Sequence, residues 1–115
     1  MKYTESHEWY EKGRVGISKY AQEELGEIVY IELPKVGQLV RAGEEVAVLE
    51  STKAAADIYS PLSGTILSVN ERLKEEILLL SQDPEGEGYL FTLKPSDQSE
   101  EKMLISKEDY LALHL

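Results

Sequence analysis

The hydrophobic residues of this chain fall in short extended runs, each closed by turn residues, and that punctuation restricts it to a fold of many brief strands. Ile28 to Leu33 ends at Pro34. Val46-Ala47-Val48-Leu49 follows Ala42-Gly43-Glu44-Glu45. Pro61-Leu62-Ser63-Gly64 divides Ile58-Tyr59 from Thr65-Ile66-Leu67-Ser68-Val69, and Tyr89-Leu90-Phe91-Thr92-Leu93 stops before Pro95. β-branched and aromatic residues between such breaks predict strands. Short sheets cannot bury an apolar face alone, so they must pack in layers around one core. Gly26-Glu27-Ile28-Val29-Tyr30-Ile31 can be laid over Gly64-Thr65-Ile66-Leu67-Ser68-Val69, which suggests two similar β units packed face to face.

A chain of 115 residues forms one ordinary domain, expected to span 1–115, and excludes a large two-domain enzyme. With 42% hydrophobic residues and only eight Gly and four Pro, it has the material for a real core. Lys12-Gly13 predicts the turn of a hairpin within Tyr3 to Ile17. Ser18 can cap a short helix through Tyr20 to Leu25, with Gly26 ending it. The density of apolar residues from Ile28 to Leu33 predicts a strand with both faces partly covered. Asn70 to Leu80 fits a helix through Leu73, Ile77 and Leu80 or a β edge, and its spacing does not choose. Asp97 can cap a turn toward Met103. Ser106 followed by Asp109 predicts a terminal helix at about 106–113 with an acidic first turn.

Twelve Lys plus Arg against twenty-two Asp plus Glu leave a formal charge of −10, which repels nucleic acid and anionic membranes and suits a basic partner. No Cys is present and the two His stand far apart at His7 and His114, so no metal site is expected. Cysteine nucleophiles are excluded, no His-supported nucleophile is apparent, and the carboxylates show no identifiable pairing. Gly86-Glu87-Gly88 lacks the longer glycine pattern of a dinucleotide site. Any redox chemistry must be attached to the chain. With no secretory h-region and no apolar stretch near twenty residues, a cytoplasmic location and no membrane contact are expected.

The candidate site lies between Leu49 and Ile58, at Glu50-Ser51-Thr52-Lys53-Ala54-Ala55-Ala56-Asp57. A lysine on a hairpin tip presents its amine, and the small alanines leave room for another protein to surround it. This suits covalent attachment at Lys53. Glu27, Glu50 and Asp57 are candidates for a negative rim that guides a basic partner. Trp9 reads as structural, and His7 as a local hydrogen-bonding or surface residue.

Glu50-Ser51-Thr52-Lys53-Ala54, with Asp57-Ile58-Tyr59-Ser60-Pro61-Leu62-Ser63-Gly64, resembles the lipoyl attachment region of glycine cleavage system H proteins. The likeness extends over nearly the whole chain. Tyr3-Thr4, His7-Glu8-Trp9, Val15-Gly16-Ile17, Tyr20-Ala21-Gln22, Leu25-Gly26-Glu27-Ile28-Val29, Glu32-Leu33-Pro34, Gly37 and Ala42-Gly43 carry it forward. Asp83-Pro84 and Gly86-Glu87-Gly88 with Tyr89-Leu90-Phe91 complete it. The resemblance implies a mainly β fold, a flattened β-sandwich or hybrid barrel of the biotinyl/lipoyl-carrier type with short peripheral helices. It implies lipoic acid on Lys53 as N6-lipoyl-lysine, added by a lipoate ligase or lipoyl transferase, and no catalytic residue in the unmodified protein.

The implied cycle begins with a pyridoxal-phosphate glycine decarboxylase that releases carbon dioxide and passes an aminomethyl group to lipoyl sulfur. An aminomethyltransferase using tetrahydrofolate then removes the one-carbon unit, and dihydrolipoyl dehydrogenase reoxidises the dithiol. A carrier visiting several enzymes is expected to be a monomer.

Four departures from the family pattern stand out, the first being a hairpin at Lys12-Gly13 that is short compared with the family's usual opening. Thr52 replaces the frequent valine before the lysine, retaining β-branching while adding a hydroxyl. Leu79-Leu80-Ser81 lacks the usual wording, and Tyr89 stands where tryptophan is common. Three other readings remain: a lipoyl relay of another pathway, an unmodified interaction module and a biotin carrier. The last commonly has methionine on both sides of its lysine, unlike Thr52 and Ala54.

Overall fold

Lys12-Gly13 turns the first hairpin, and every later strand likewise ends near a glycine, proline or polar turn. The structure is a computed structural model and describes residues 1–114; Leu115, the last residue of the expected domain, lies outside them. In chain order the elements begin with Lys2–Tyr3 (β1), Glu8–Glu11 (β2), Arg14–Ile17 (β3), Lys19–Leu25 (α1), Ile28–Glu32 (β4) and Leu39–Val40 (β5). Glu45–Ser51 (β6) and Ala55–Tyr59 (β7) form the central hairpin, followed by Gly64–Val69 (β8), Arg72–Glu75 (α2) and Leu79–Gln82 (α3). Phe91–Pro95 (β9), a 3-10 turn at Gln98–Met103, Ile105–Ser106 (β10) and Lys107–Leu113 (α4) complete the chain.

The strands build a 7-stranded sheet, in the order β10-β1-β2-β3-β9-β8-β5, and a 3-stranded sheet, β4-β6-β7. Neighbours within both sheets are antiparallel. Their inner faces enclose Val15, Ile17, Ile28, Leu49, Ile66 and Phe91, among others. A smaller cluster of Tyr3, Trp9 and Tyr110 lies under α4. Overall extents of 37 × 36 × 21 Å describe a flattened sandwich.

Local capping follows the side chains. Ser18 Oγ accepts from Ala21 N–H at 3.0 Å, and Ser106 Oγ accepts from Asp109 N–H at 3.2 Å, each satisfying a free donor at a helix start. Gly26 ends α1 with φ +83° and ψ −148°, a region that only glycine adopts without strain. Asp97 accepts from Ser99 N–H, as a cap for the 3-10 turn.

Several expectations are corrected. The partial cover expected on both faces of β4 falls mainly on one: Ile28 is buried and Ile31 half-buried, whereas Val29 and Tyr30 are 52% and 50% exposed on an edge strand that bulges between Ile28 and Tyr30. β5 is only the two residues Leu39–Val40, although Gly37 N–H donates to the Ile66 carbonyl and Ile66 N–H to the Gln38 carbonyl just before it. The last strand begins at Phe91 and includes Pro95, which sits opposite Gly64 at the end of the ladder. Asn70 to Leu80 resolves into two one-turn helices that bury Leu73 and Leu80. The two matched segments fall in different sheets, but those sheets are unequal and their glycines differ in purpose. Gly26 terminates a helix, whereas Gly64 lies in a strand whose backbone meets the Lys94 carbonyl, where a side chain has no room.

Candidate functional site

β6 and β7 form the longest-paired hairpin of the smaller sheet, with Glu50 opposite Ala55 as the last pair before the tip. Thr52, Lys53 and Ala54 make that tip, and all three are exposed. Ser51 organises it. Its Oγ accepts from Lys53 N–H at 3.1 Å and Ala54 N–H at 3.0 Å, while its own N–H and O–H both donate to the Ala54 carbonyl, at 2.7 and 3.2 Å. The serine thereby satisfies backbone groups that the ladder leaves over. Thr52 N–H reaches outside the hairpin to the Glu27 carbonyl at 3.2 Å, tying the tip to the junction of α1 and β4. This tie uses only the backbone of Thr52, so either a threonine or a valine side chain is compatible with it.

Ser51→Ala is expected to remove the side-chain hydrogen bonds of the tip, at a net cost of about 1 kcal/mol. Amide exchange at Lys53 and Ala54 should accelerate while that in β3 and β9 stays unchanged. Unchanged exchange at the tip would contradict the role given to Ser51.

Lys53 forms no ion pair with a carboxylate among the described residues. Glu27 and Glu50 are exposed, Glu50 in the last ladder pair before the tip and Glu27 where its carbonyl accepts from Thr52 N–H. Asp57 lies further along β7, opposite Val48, and its carboxylate neighbours Glu45. The negative charge of Asp57 pushes the Glu45 carboxyl above its usual range, with Glu32 adding to the effect. The carboxylates thus do have a paired arrangement, which the sequence did not reveal, but this pair is solvent-exposed. Among the described residues, no group of three or more His, Asp or Glu converges as a metal site.

Glu8 is a buried carboxylate that sequence reasoning did not single out. It accepts from Thr4 Oγ1 and Ser6 Oγ at 2.6 Å each and from Tyr59 N–H at 3.2 Å, linking the start of the chain to the hairpin strand β7. Burial pushes its carboxyl up, and the Ser6, Thr4 and Tyr59 hydrogen bonds pull it back. Alternation beside Trp9 would have pointed Glu8 outward, so the strand pattern gave no signal of its burial.

A cleft of about 350 Å³ lies between α1 and β7, with Ala21 and Leu25 on one wall, Ala56 and Ile58 on the other, and His7 and Tyr20 at its side. His7 has φ +76° and is held by its Nδ1, 2.7 Å from the Tyr110 hydroxyl, which is itself 2.7 Å from Ser18 Oγ. His114, from the end of α4, brings its ring centroid to 4.9 Å from that of His7. The two histidines that stand far apart in sequence are therefore neighbours.

Burial first, and then the His114 charge, lowers the pKa of His7 from 6.5, with Glu24 opposing. Between the lowered folded value and the unfolded one, the unfolded chain binds more protons. The His7 contribution is therefore fully present above the unfolded value and is lost as pH falls through this window. The urea midpoint should fall from pH 7.5 to 5.5 more in the wild type than in His7→Asn, a variant whose side chain tolerates positive φ. Equal slopes would contradict this reading. The difference between the proteins cancels the opposite contribution of Glu8.

Trp9 is structural, with its indole buried and Nε1 donating to the Pro84 carbonyl at 2.9 Å. Tyr89 is half-buried and receives the Arg14 guanidinium over its ring at 4.3 Å.

Two unequal antiparallel sheets, with a lysine displayed on the tight hairpin of the smaller one, define a flattened β-sandwich of the biotinyl/lipoyl-carrier type. The profile of the glycine cleavage H-protein family matches residues 1–114. The chain belongs to that family. It is 50% identical over 113 residues to a glycine cleavage system H protein of Thermotoga maritima, covering 95% of this chain and 91% of that one. It is 48% identical over 118 residues to the protein of the same name from Shewanella sp. strain ANA-3, covering 98% and 92%. The crystal structure of a glycine cleavage system H protein from Mycobacterium marinum superposes with a TM-score of 0.87 at 34% identity, covering 98% of this chain and 94% of that chain. No helix among the described residues is long and apolar enough to cross a membrane.

Proposed function

We propose that Lys53 carries lipoic acid as an amide on Nζ, and that the protein conveys this group among the enzymes of glycine cleavage without catalysing a step itself. The observation that carries this reading is the tip of the β6–β7 hairpin, where the Lys53 side chain is exposed and free of ion pairs among the described residues. The residues present fit the attachment. Ser51 fixes the backbone on both sides of the lysine, and Ala54 and Ala55 add little bulk around an amine that a modifying enzyme must enclose.

When bound, a lipoyl group supplies a disulfide that accepts the one-carbon amine fragment and is regenerated by thiol–disulfide exchange. The chain itself contributes reach and address. Attachment to a stiff two-stranded tip keeps the cargo outside the sandwich and raises its effective concentration at a docked enzyme. Amide formation removes the lysine charge. A formal charge of −10 favours encounter with basic surfaces, and Glu27 and Glu50 place part of it beside the tip. Asp57 adds charge along β7.

This reading requires four kinds of partner: a pyridoxal-phosphate glycine decarboxylase, a tetrahydrofolate-dependent aminomethyltransferase, dihydrolipoyl dehydrogenase, and a lipoate ligase or transferase. It suits a monomer in the cytoplasm, with no nucleic acid or membrane partner. Reconstitution with glycine decarboxylase tests it. The lipoylated protein should support exchange of labelled bicarbonate into the glycine carboxyl group, whereas the unmodified protein should not. Lipoylation without exchange would assign the protein to a different lipoyl relay.

A further inference from the structure

The Lys53 side chain does not point freely into solvent from the tip. It leans toward the end of α1, where a methyl group built on Gly26 would lie 3.6 Å from Lys53 Cε, 3.7 Å from Nζ and 4.0 Å from Cδ. These are ordinary van der Waals separations, so the far end of the lysine stem occupies the space that any side chain larger than alanine would need. The backbone bond from Thr52 N–H to the Glu27 carbonyl holds the tip over the same junction. Gly26 itself combines φ +83° with ψ −148°, and its N–H donates to the Gln22 carbonyl at 2.9 Å. The turn that ends α1 and the tip that bears the lysine therefore form one local unit, although they are remote in sequence.

We propose that Gly26 is a positioning residue for Lys53: its lack of a side chain leaves an open floor over which the lysine stem lies, so that the amine is presented beside the α1–β4 junction. An enzyme that modifies Lys53 then meets an amine already confined to one side of the hairpin, and it contacts Gly26 and Glu27 together with the tip. The stem contact is apolar and survives loss of the lysine charge, so the mobile part of an attached arm begins beyond Nζ. This inference rests on the reading of Lys53 as the attachment residue, and it predicts a contact that is measurable without any modification.

Two substitutions separate the floor from backbone strain. Gly26→Ala and Gly26→Val force the same unfavourable φ and ψ, but the alanine methyl only touches the lysine, whereas the valine γ-carbons extend into its place. With lipoate, ATP and a lipoate ligase, Gly26→Ala should modify with a kcat/KM within about twofold of the wild type, corrected for folded fraction. Gly26→Val should fall about three- to tenfold further, mainly in KM, the scale expected when one ordered long side chain becomes free. In the unmodified wild type, a nuclear Overhauser contact should join the Lys53 ε-methylene to the Gly26 α-protons.

Equal rates for the two variants, faster modification of Gly26→Val, or no such contact would each overturn the proposal. The contact does not depend on valine at position 26 folding. If the wild type accepted no lipoyl group, the attachment reading would fail, while the wild-type contact would still decide whether the floor exists.

Discussion

Trp9→Ala is expected to remove about 3–5 kcal/mol of stability, the range for truncating a large buried aromatic. The indole is 1% exposed, packs with Tyr3 and Tyr110, and donates to the Pro84 carbonyl. Its opposite wall is Gly16, where even a Cβ would approach the ring to 2.7 Å, so nothing nearby can move in to fill the vacancy. The loss also leaves the Pro84 carbonyl without its indole donor. For a domain of this size, that is a large share of the total stability, and the melting temperature should drop by more than about 10 °C. Trp9→Phe should fall between the two, because most of the apolar contact remains and the hydrogen bond does not. A Trp9→Ala loss below about 1 kcal/mol by urea titration would show that the Tyr3–Trp9–Tyr110 cluster contributes little to stability.

Lys53→Arg has the largest expected functional effect. Arginine keeps the charge and much of the stem, but its guanidinium does not replace the amine that the ligase acylates. Lipoyl incorporation should disappear, and bicarbonate exchange with glycine decarboxylase should fall to the level of the unmodified protein. The melting temperature should stay within about 1–2 °C, because Lys53 is exposed and unpaired among the described residues. Retained incorporation at another lysine, with retained exchange, would refute the assignment of the site.

Features set by neighbouring residues were legible in the sequence. Lys12-Gly13, the Ser18 cap and the Gly26 stop each act within a few positions, and each is present in the structure as read. The same locality made the 50–57 hairpin legible, since apolar strand residues flank a short polar tip. The coverage of β4 was not, because being an edge strand depends on which strands lie beside it. Nor could spacing choose a state for Asn70 to Leu80, where two helices of a single turn are too short to show a period.

The site's long-range parts were hidden for the same reason. Glu8 reaches Tyr59, His7 reaches His114 and Gly26 reaches Lys53 only after the sheets have packed. Ser51 was visible as part of the attachment loop, but its four-bond closure of the tip is a property of the folded turn. The family resemblance pointed to Lys53 as the attachment residue, and the structure supplies the hydrogen bonds that close the turn on which it stands.

The most direct measurement is peptide mass analysis of the protein after incubation with lipoate, ATP and a lipoate ligase. The account predicts a single added lipoyl group, confined to the peptide containing Lys53. An unmodified Lys53 under conditions that fully lipoylate the Thermotoga maritima relative, or a lipoyl group on a different lysine, would contradict it.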